Sequence, residues 1–200
     1  MLVCSFLFQS PEQYFFEDPL GTGGIERADW FSVEYYDLSG SNLQDLARSL
    51  NQRAPRSAGG RIQFARLAWR LEWKWSATSA KTVDLDNSQI TYHASLLFPR
   101  WIPALEASMA TKQFWKRISI AMIGHEIHHR DTVPKHVGIL RDRLNSAWQS
   151  NPEMTIEQAE KIAQRTLKEL RVENEQYDKI TDHGLTEGVI PLNPDGTDFL

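Results

Sequence analysis

The stretch "LAWRLEWKW", residues 67–75, decides the fold class of the first half of this chain. Its side chains alternate without a break between apolar and polar types. The apolar positions are Leu67, Trp69, Leu71, Trp73 and Trp75. Because alternate side chains of an extended strand point to opposite faces, the stretch predicts a β-strand with one buried face and one hydrated face.

Two flanking stretches predict further strands around this one. Residues 30–38 are rich in aromatic and β-branched side chains, and residues 89–98 alternate in the same way as the first stretch. Between the first two strands, leucines and an alanine on one helical face predict a short helix that ends before Pro55. The order strand, helix, strand, strand predicts an N-terminal antiparallel sheet with one packed helix.

Beyond residue 100 the apolar spacing changes to the period of an α-helix. Pro134 predicts an interruption or kink, because proline removes a backbone donor and clashes with the preceding turn. The predicted helices cover about residues 111–131, 136–149 and 156–180. Together with the strands, they predict the α+β class.

The predicted domain organisation is one domain with an N-terminal extension. Residues 1–29 hold two prolines and three glycines and show no clear period, which is typical of a loop-rich extension. The domain then covers residues 30–200. Its predicted parts are a strand-helix-strand-strand part (30–100), a helical part (101–190) and a C-terminal tail (191–200).

The composition favours a soluble globular protein. The net charge of -4 and the dispersed basic residues lack the basic footprint of a nucleic-acid-binding protein. Cys4 is the only cysteine, which excludes an intrachain disulfide. No run is long and apolar enough to predict a membrane span, and the N-terminal residues lack the pattern of a signal peptide. We therefore expect a cytoplasmic protein by default, or an exported one if a leader has been trimmed.

The chemistry of the helical part centres on "HEIHH", residues 125–129. His125 and His129 lie one helical turn apart and share a face, and Glu126 flanks that face. Two imidazoles at this spacing can bind zinc, with the carboxylate beside a zinc-bound water. Two alternatives stay open: a chance match formed by ordinary core histidines, and competition from His128 as a ligand.

The third zinc ligand is left open by the residues themselves. Catalytic zinc usually has three protein ligands, and no glycine and histidine follow His129 at the spacing of the extended H-E-x-x-H motif. The candidates are Glu173, on one face of the last helix, and His183, at the end of that helix.

The last helix ends in "YDKITDHG", residues 177–184. The pairing of H-E-x-x-H with this later Y-D-x-x-T-x-H-G element resembles a bacterial zincin-like family, catalogued as domain of unknown function 922 and regarded as zinc-dependent proteases. The resemblance covers about residues 32–190. The matching residues are His125, Glu126, His129, Tyr177, Asp178, Thr181, His183 and Gly184.

The resemblance implies a helical zincin-like half, a bound Zn²⁺ ion and hydrolysis of a protein or peptide substrate. It implies zinc binding by His125, His129 and His183 and general-base catalysis by Glu126. From its residue type, Tyr177 is a candidate donor to a developing oxyanion.

Three further alternatives accompany this hypothesis. Asp178 is either a residue that orients a ligand imidazole or an ordinary surface aspartate. The whole protein is either the metalloprotease, a zinc-stabilised interaction module without catalysis, or a metal-free helical protein with core histidines.

Overall fold

A computed structural model describes residues 29–56, 60, 62–78 and 80–190. Nearly all of the predicted N-terminal extension, including Cys4, and the predicted tail at 191–200 lie outside these residues. The chain forms strand β1 (Phe31–Leu38), helix α1 (Leu43–Arg53), strands β2 (Arg66–Ala77) and β3 (Val83–Trp101), and helices α2 (Met109–Ser150) and α3 (Ile156–Thr181). This order confirms the α+β class.

The three strands form a mixed sheet in the order β1-β3-β2. The predicted antiparallel pairing holds for β2 and β3, with Trp69 opposite Ala94. Strand β1 instead lies parallel to β3, with Phe31 opposite Ala94. The direction follows from the connections. The connection between β2 and β3 is short, which suits an antiparallel pair, whereas β1 is joined to β2 through α1 and pairs with the other edge of β3.

Helix α2 is continuous over 42 residues, although Pro134 lies inside it. The predicted interruption is therefore absent. Val133, Val137 and Leu140 are each at most 2% exposed. Burial of these apolar side chains on both sides of the proline compensates for the missing backbone hydrogen bond.

Helix α2 packs its two ends into different apolar clusters. Its first half contributes Trp115, Ile118 and Met122 to a core formed with the sheet and α1. Its second half contributes Leu140 and Leu144 to a core formed with the β2–β3 hairpin and α3. The H-E-x-x-H segment lies between these two halves of the helix.

Helix α3 is fixed against the sheet by a shared carboxylate. The indole N–H groups of Trp73 and Trp75 both donate to Oε2 of Glu160, at 2.7 and 2.8 Å. A capping box between Thr155 and Gln158 defines the start of the helix. These contacts set the position of α3, which runs beside α2 and brings its C-terminal end to the histidines. No helix among the described residues is long and apolar enough to cross a membrane.

Candidate metal centre

His125 and His129 lie on the buried face of α2, at 6% and 9% exposure. Their Nε2 atoms are 3.3 Å apart. Two ligand atoms at the tetrahedral angle around zinc, each about 2.0–2.1 Å from it, are separated by about 3.3 Å. The spacing of the two imidazole nitrogens therefore matches that of neighbouring ligands of one zinc ion.

Asp178, near the end of α3, supplies a third atom at the same place. Its Oδ1 lies 2.9 Å from Nε2 of His129 and 3.2 Å from Nε2 of His125. These three residues form a group whose ligand atoms all lie within 4.8 Å of one another. They could hold a metal through one face of a tetrahedron, which leaves the fourth position to a water molecule or a substrate.

The outer nitrogen of His129, Nδ1, which faces away from Asp178, is held by a hydrogen-bond network inside the protein. Nδ1 of His129 lies 2.5 Å from Oδ1 of Asn174. The amide of Asn174 is oriented because its Nδ2 donates to Oγ1 of Thr132 and to the carbonyl of Leu170. The amide oxygen therefore faces His129 and accepts its Nδ1–H, so the lone pair of the neutral imidazole is on Nε2.

The outer nitrogen of His125 faces a second carboxylate. Nδ1 of His125 lies 2.8 Å from Oε2 of Glu187. Glu187 belongs to the short turn Leu185–Glu187 that follows α3. When His125 donates its Nδ1–H to Glu187, its Nε2 lone pair faces the same point as those of His129 and Asp178.

The centre therefore attracts positive charge. Burial alone would lower the pKa values of His125 and His129, but the hydrogen bonds to carboxylate and amide oxygens, led by Asp178, raise both pKa values. Burial alone would raise the pKa of Asp178, yet hydrogen bonds from the two histidines hold it far below its ordinary value. A proton can bridge only two of the three converging atoms at a time, whereas a metal ion can bind all three. These atoms are Nε2 of His125, Nε2 of His129 and Oδ1 of Asp178.

Glu126 lies beside this group and is 7% exposed. Its Oε2 accepts a hydrogen bond of 3.1 Å from the backbone N–H of Leu67 on β2. Burial raises the pKa of Glu126, and the neighbouring His129 and His125 partly oppose that rise. A carboxyl group with a raised pKa can take up and return a proton closer to neutral pH than an ordinary glutamate can.

Tyr177 contacts residues of the centre through both its aromatic ring and its hydroxyl group. Its ring stacks on that of His128, with centroids 3.6 Å apart and an angle of 10°. It also stacks less closely on His125, at 5.0 Å. Its hydroxyl donates to Oε1 of Glu187 at 2.6 Å. Tyr177 thus lies next to the centre, and its hydroxyl proton is engaged in the hydrogen bond to Glu187.

The two predicted third ligands lie outside the group of three. Nδ1 of His183 is 3.7 Å from Oδ2 of Asp178, and its side chain is 56% exposed. Glu173 forms an ion pair of 2.7 Å with Lys135 and faces His136 at 3.6 Å. The third member of the group is therefore Asp178, and neither His183 nor Glu173 belongs to it.

Sequence reasoning left out Asn174 and Glu187 and considered Asp178 only as an orienting or surface residue. One pattern points to two of them: Asn174 and Asp178 are four residues apart on α3, the same spacing as His125 and His129 on α2. Glu187 has no such pattern, because it reaches the site through a turn.

Gly184 allows that turn to approach the centre. Its φ is +87°, and a Cβ atom there would lie 2.8 Å from Cγ2 of Val189 and 3.3 Å from Cγ of His125. We expect Gly184→Ala to lower the free energy of unfolding by at least about 1–2 kcal/mol, the cost of a left-handed conformation for alanine.

Gly138 provides the matched control for this substitution. It lies within α2, and a Cβ atom there would meet nothing within 4 Å. Gly138→Ala is expected to raise stability by up to about 1 kcal/mol, because alanine favours a helix over glycine. Urea denaturation of both variants measures the difference, and equal effects would contradict the proposed constraint at Gly184.

One family matches the chain in comparisons with known proteins. Its sequence profile covers residues 33–184 and carries the description "Bacterial protein of unknown function (DUF922)". No curated protein and no solved structure gives a significant match.

Proposed function

The chain belongs to this bacterial family of unknown function, DUF922, and we propose that it is a zinc-dependent metalloprotease that hydrolyses peptide bonds. The observation that carries the proposal is the convergence of His125, His129 and Asp178 on one point. The buried carboxyl group of Glu126 lies beside the same point.

The donor set suits zinc. Two imidazole nitrogens and one carboxylate oxygen, with a fourth position left open, are typical of catalytic zinc sites. The hydrogen bonds from the outer nitrogens to Asn174 and Glu187 are also typical, because they fix the ring orientation and the tautomer. Zinc bound there would supply a Lewis acid that lowers the pKa of a water molecule to about 7.

Glu126 performs the proton transfers in this proposal. Its carboxylate takes a proton from the attacking water and passes it to the nitrogen of the leaving amine. Both steps need a group that changes protonation state near neutral pH, and burial raises the pKa of Glu126 in that direction. The hydrogen bond from the Leu67 N–H holds one carboxylate oxygen, so the other oxygen is left for proton transfer.

The geometry adds a condition to the proposed role of Tyr177 and favours Asp178 over His183 as the third ligand. The hydroxyl of Tyr177 can donate to an oxyanion only after it leaves Glu187, to which it donates at 2.6 Å. Nδ1 of His183 lies 3.7 Å from Oδ2 of Asp178, and His183 is not one of the three residues whose ligand atoms converge. The proposal therefore takes Asp178 as the third ligand and treats His183 as the competing candidate.

The test is the metal content of the protein, purified without chelator or nickel and measured by elemental mass spectrometry. We expect about one zinc per chain and little or none in His125→Ala. His93→Ala is the control, because His93 is an exposed histidine on β3. Failure of the wild-type protein to take up zinc would overturn the proposal.

A further inference from the structure

The carboxylate of Glu187 forms hydrogen bonds both with the ring of a candidate ligand, His125, and with the hydroxyl group of Tyr177. Its Oε2 lies 2.8 Å from Nδ1 of His125, and its Oε1 accepts the Tyr177 hydroxyl proton at 2.6 Å. One carboxylate thus joins a ring nitrogen on α2 to a phenol on α3.

The backbone after α3 holds Glu187 in this place. Asp182, His183 and Gly184 all have positive φ values, which fold the chain back sharply at the end of the helix. The N–H groups of Glu187 and Val189 then donate to the carbonyl of Gly184, at 2.9 and 3.0 Å. A turn closed in this way fixes the backbone position from which the Glu187 side chain extends.

We propose that Glu187 is a positioning residue: it accepts the Nδ1–H of His125, directs the Nε2 lone pair of that ring to the metal, and couples this orientation to Tyr177. This inference rests on the proposed metal centre but not on peptide hydrolysis. It assigns His125 the same arrangement that Asn174 gives His129. The two histidines then differ in one respect, because the partner of His125 is charged and that of His129 is neutral.

Because Glu187 is charged and Asn174 is neutral, we expect Glu187 to be the partner that affects metal affinity through electrostatics. A carboxylate behind a ligand imidazole increases the basicity of the nitrogen that faces the metal. The side chain of Glu187 is 34% exposed, so water weakens this effect without removing it. Loss of such a partner typically lowers metal affinity by about 10–100-fold.

The experiment compares Glu187→Ala, Glu187→Gln and the control Glu175→Gln in the full chain. Glu175 is an exposed glutamate on the same helix as Asp178. Zinc affinity is measured by competition with a chromophoric chelator. We expect a loss of about 10–100-fold for the alanine variant, a smaller loss for the glutamine variant, which keeps one acceptor oxygen, and no change for the control.

A second measurement separates positioning from a general loss of structure. In zinc-loaded protein, the Nδ1 proton of His125 is expected to give a downfield resonance that exchanges slowly with water. In Glu187→Ala this resonance is expected to disappear, while the corresponding proton of His129 stays. If Glu187→Ala fails to fold, the same two readouts are taken from Glu187→Met, whose side chain has a similar length but no oxygen acceptor for the Nδ1–H of His125.

The outcomes distinguish this inference from the proposed function. Unchanged zinc affinity and an unchanged His125 resonance in both Glu187 variants overturn the inference, whatever the activity. Reduced affinity together with loss of the His125 resonance supports it, even if the wild-type protein hydrolyses no peptide. Absence of zinc binding by the wild-type protein overturns both.

Discussion

Glu126→Gln is expected to keep a full complement of zinc and to lose peptide hydrolysis by about 10²–10⁴-fold, the usual contribution of a general acid–base group. Glutamine has nearly the same shape and can still accept the hydrogen bond from Leu67 N–H. It cannot take up the proton of the attacking water. Metal content and initial rates on a mixed peptide library, measured on the same preparation, check both parts of the prediction.

The control for this variant is Glu175→Gln, which removes a carboxylate from an exposed position on α3. It is expected to match the wild type in both metal content and rate. A fully active Glu126→Gln protein would contradict the mechanism. A wild-type protein that binds zinc and hydrolyses no peptide would instead identify the site as structural and the protein as a non-catalytic module.

Asp178→Ala is expected to lower zinc affinity by more than about 100-fold, beyond the range typical for residues behind a ligand. The substitution removes one of the three converging atoms and leaves two imidazole nitrogens as the remaining ligands. His183→Ala removes an imidazole that is 56% exposed and is expected to leave the affinity within a few-fold of the wild type. Both affinities are measured by competition with the same chelator.

This pair of variants decides whether the third zinc ligand is Asp178, as the geometry favours, or His183, as the family resemblance implies. The opposite result, with zinc lost in His183→Ala and retained in Asp178→Ala, would make His183 the third ligand. Asp178 would then hold that imidazole through the contact between its Oδ2 and Nδ1 of His183. His93→Ala serves here too, as a histidine that the centre does not include.

The part of the site that lies on α2 could be predicted from sequence because helical geometry is local. Residues 125 and 129 are neighbours on any helix, so their spacing alone predicts that the two imidazoles lie side by side. Asp178 could not be assigned in this way. Its position depends on how α3 packs on α2, and its distance of 49 residues from His129 in sequence carries no periodic pattern.

The fold shows the same division between local and long-range information. The alternation in residues 67–75 predicted strand β2 correctly, since the period of a strand is a property of a few adjacent residues. The parallel pairing of β1 with β3 depends instead on the path of the chain through α1. Likewise, Pro134 is tolerated within α2 because side chains distant in sequence pack around it, which the local propensity of proline does not reveal.

The separation of the site between two helices also sets an order of assembly during protein synthesis. A ribosome completes the H-E-x-x-H helix before it reaches Asn174, Asp178 and Glu187, which follow their histidine partners by 45, 49 and 62 residues. A growing chain that lacks α3 therefore presents two histidines without Asp178 and without the side chains that face their Nδ1 atoms. The group of His125, His129 and Asp178 can be complete only after Asp178 has left the exit tunnel. For a proteolytic enzyme, this order would delay peptide hydrolysis until the site that controls it is complete.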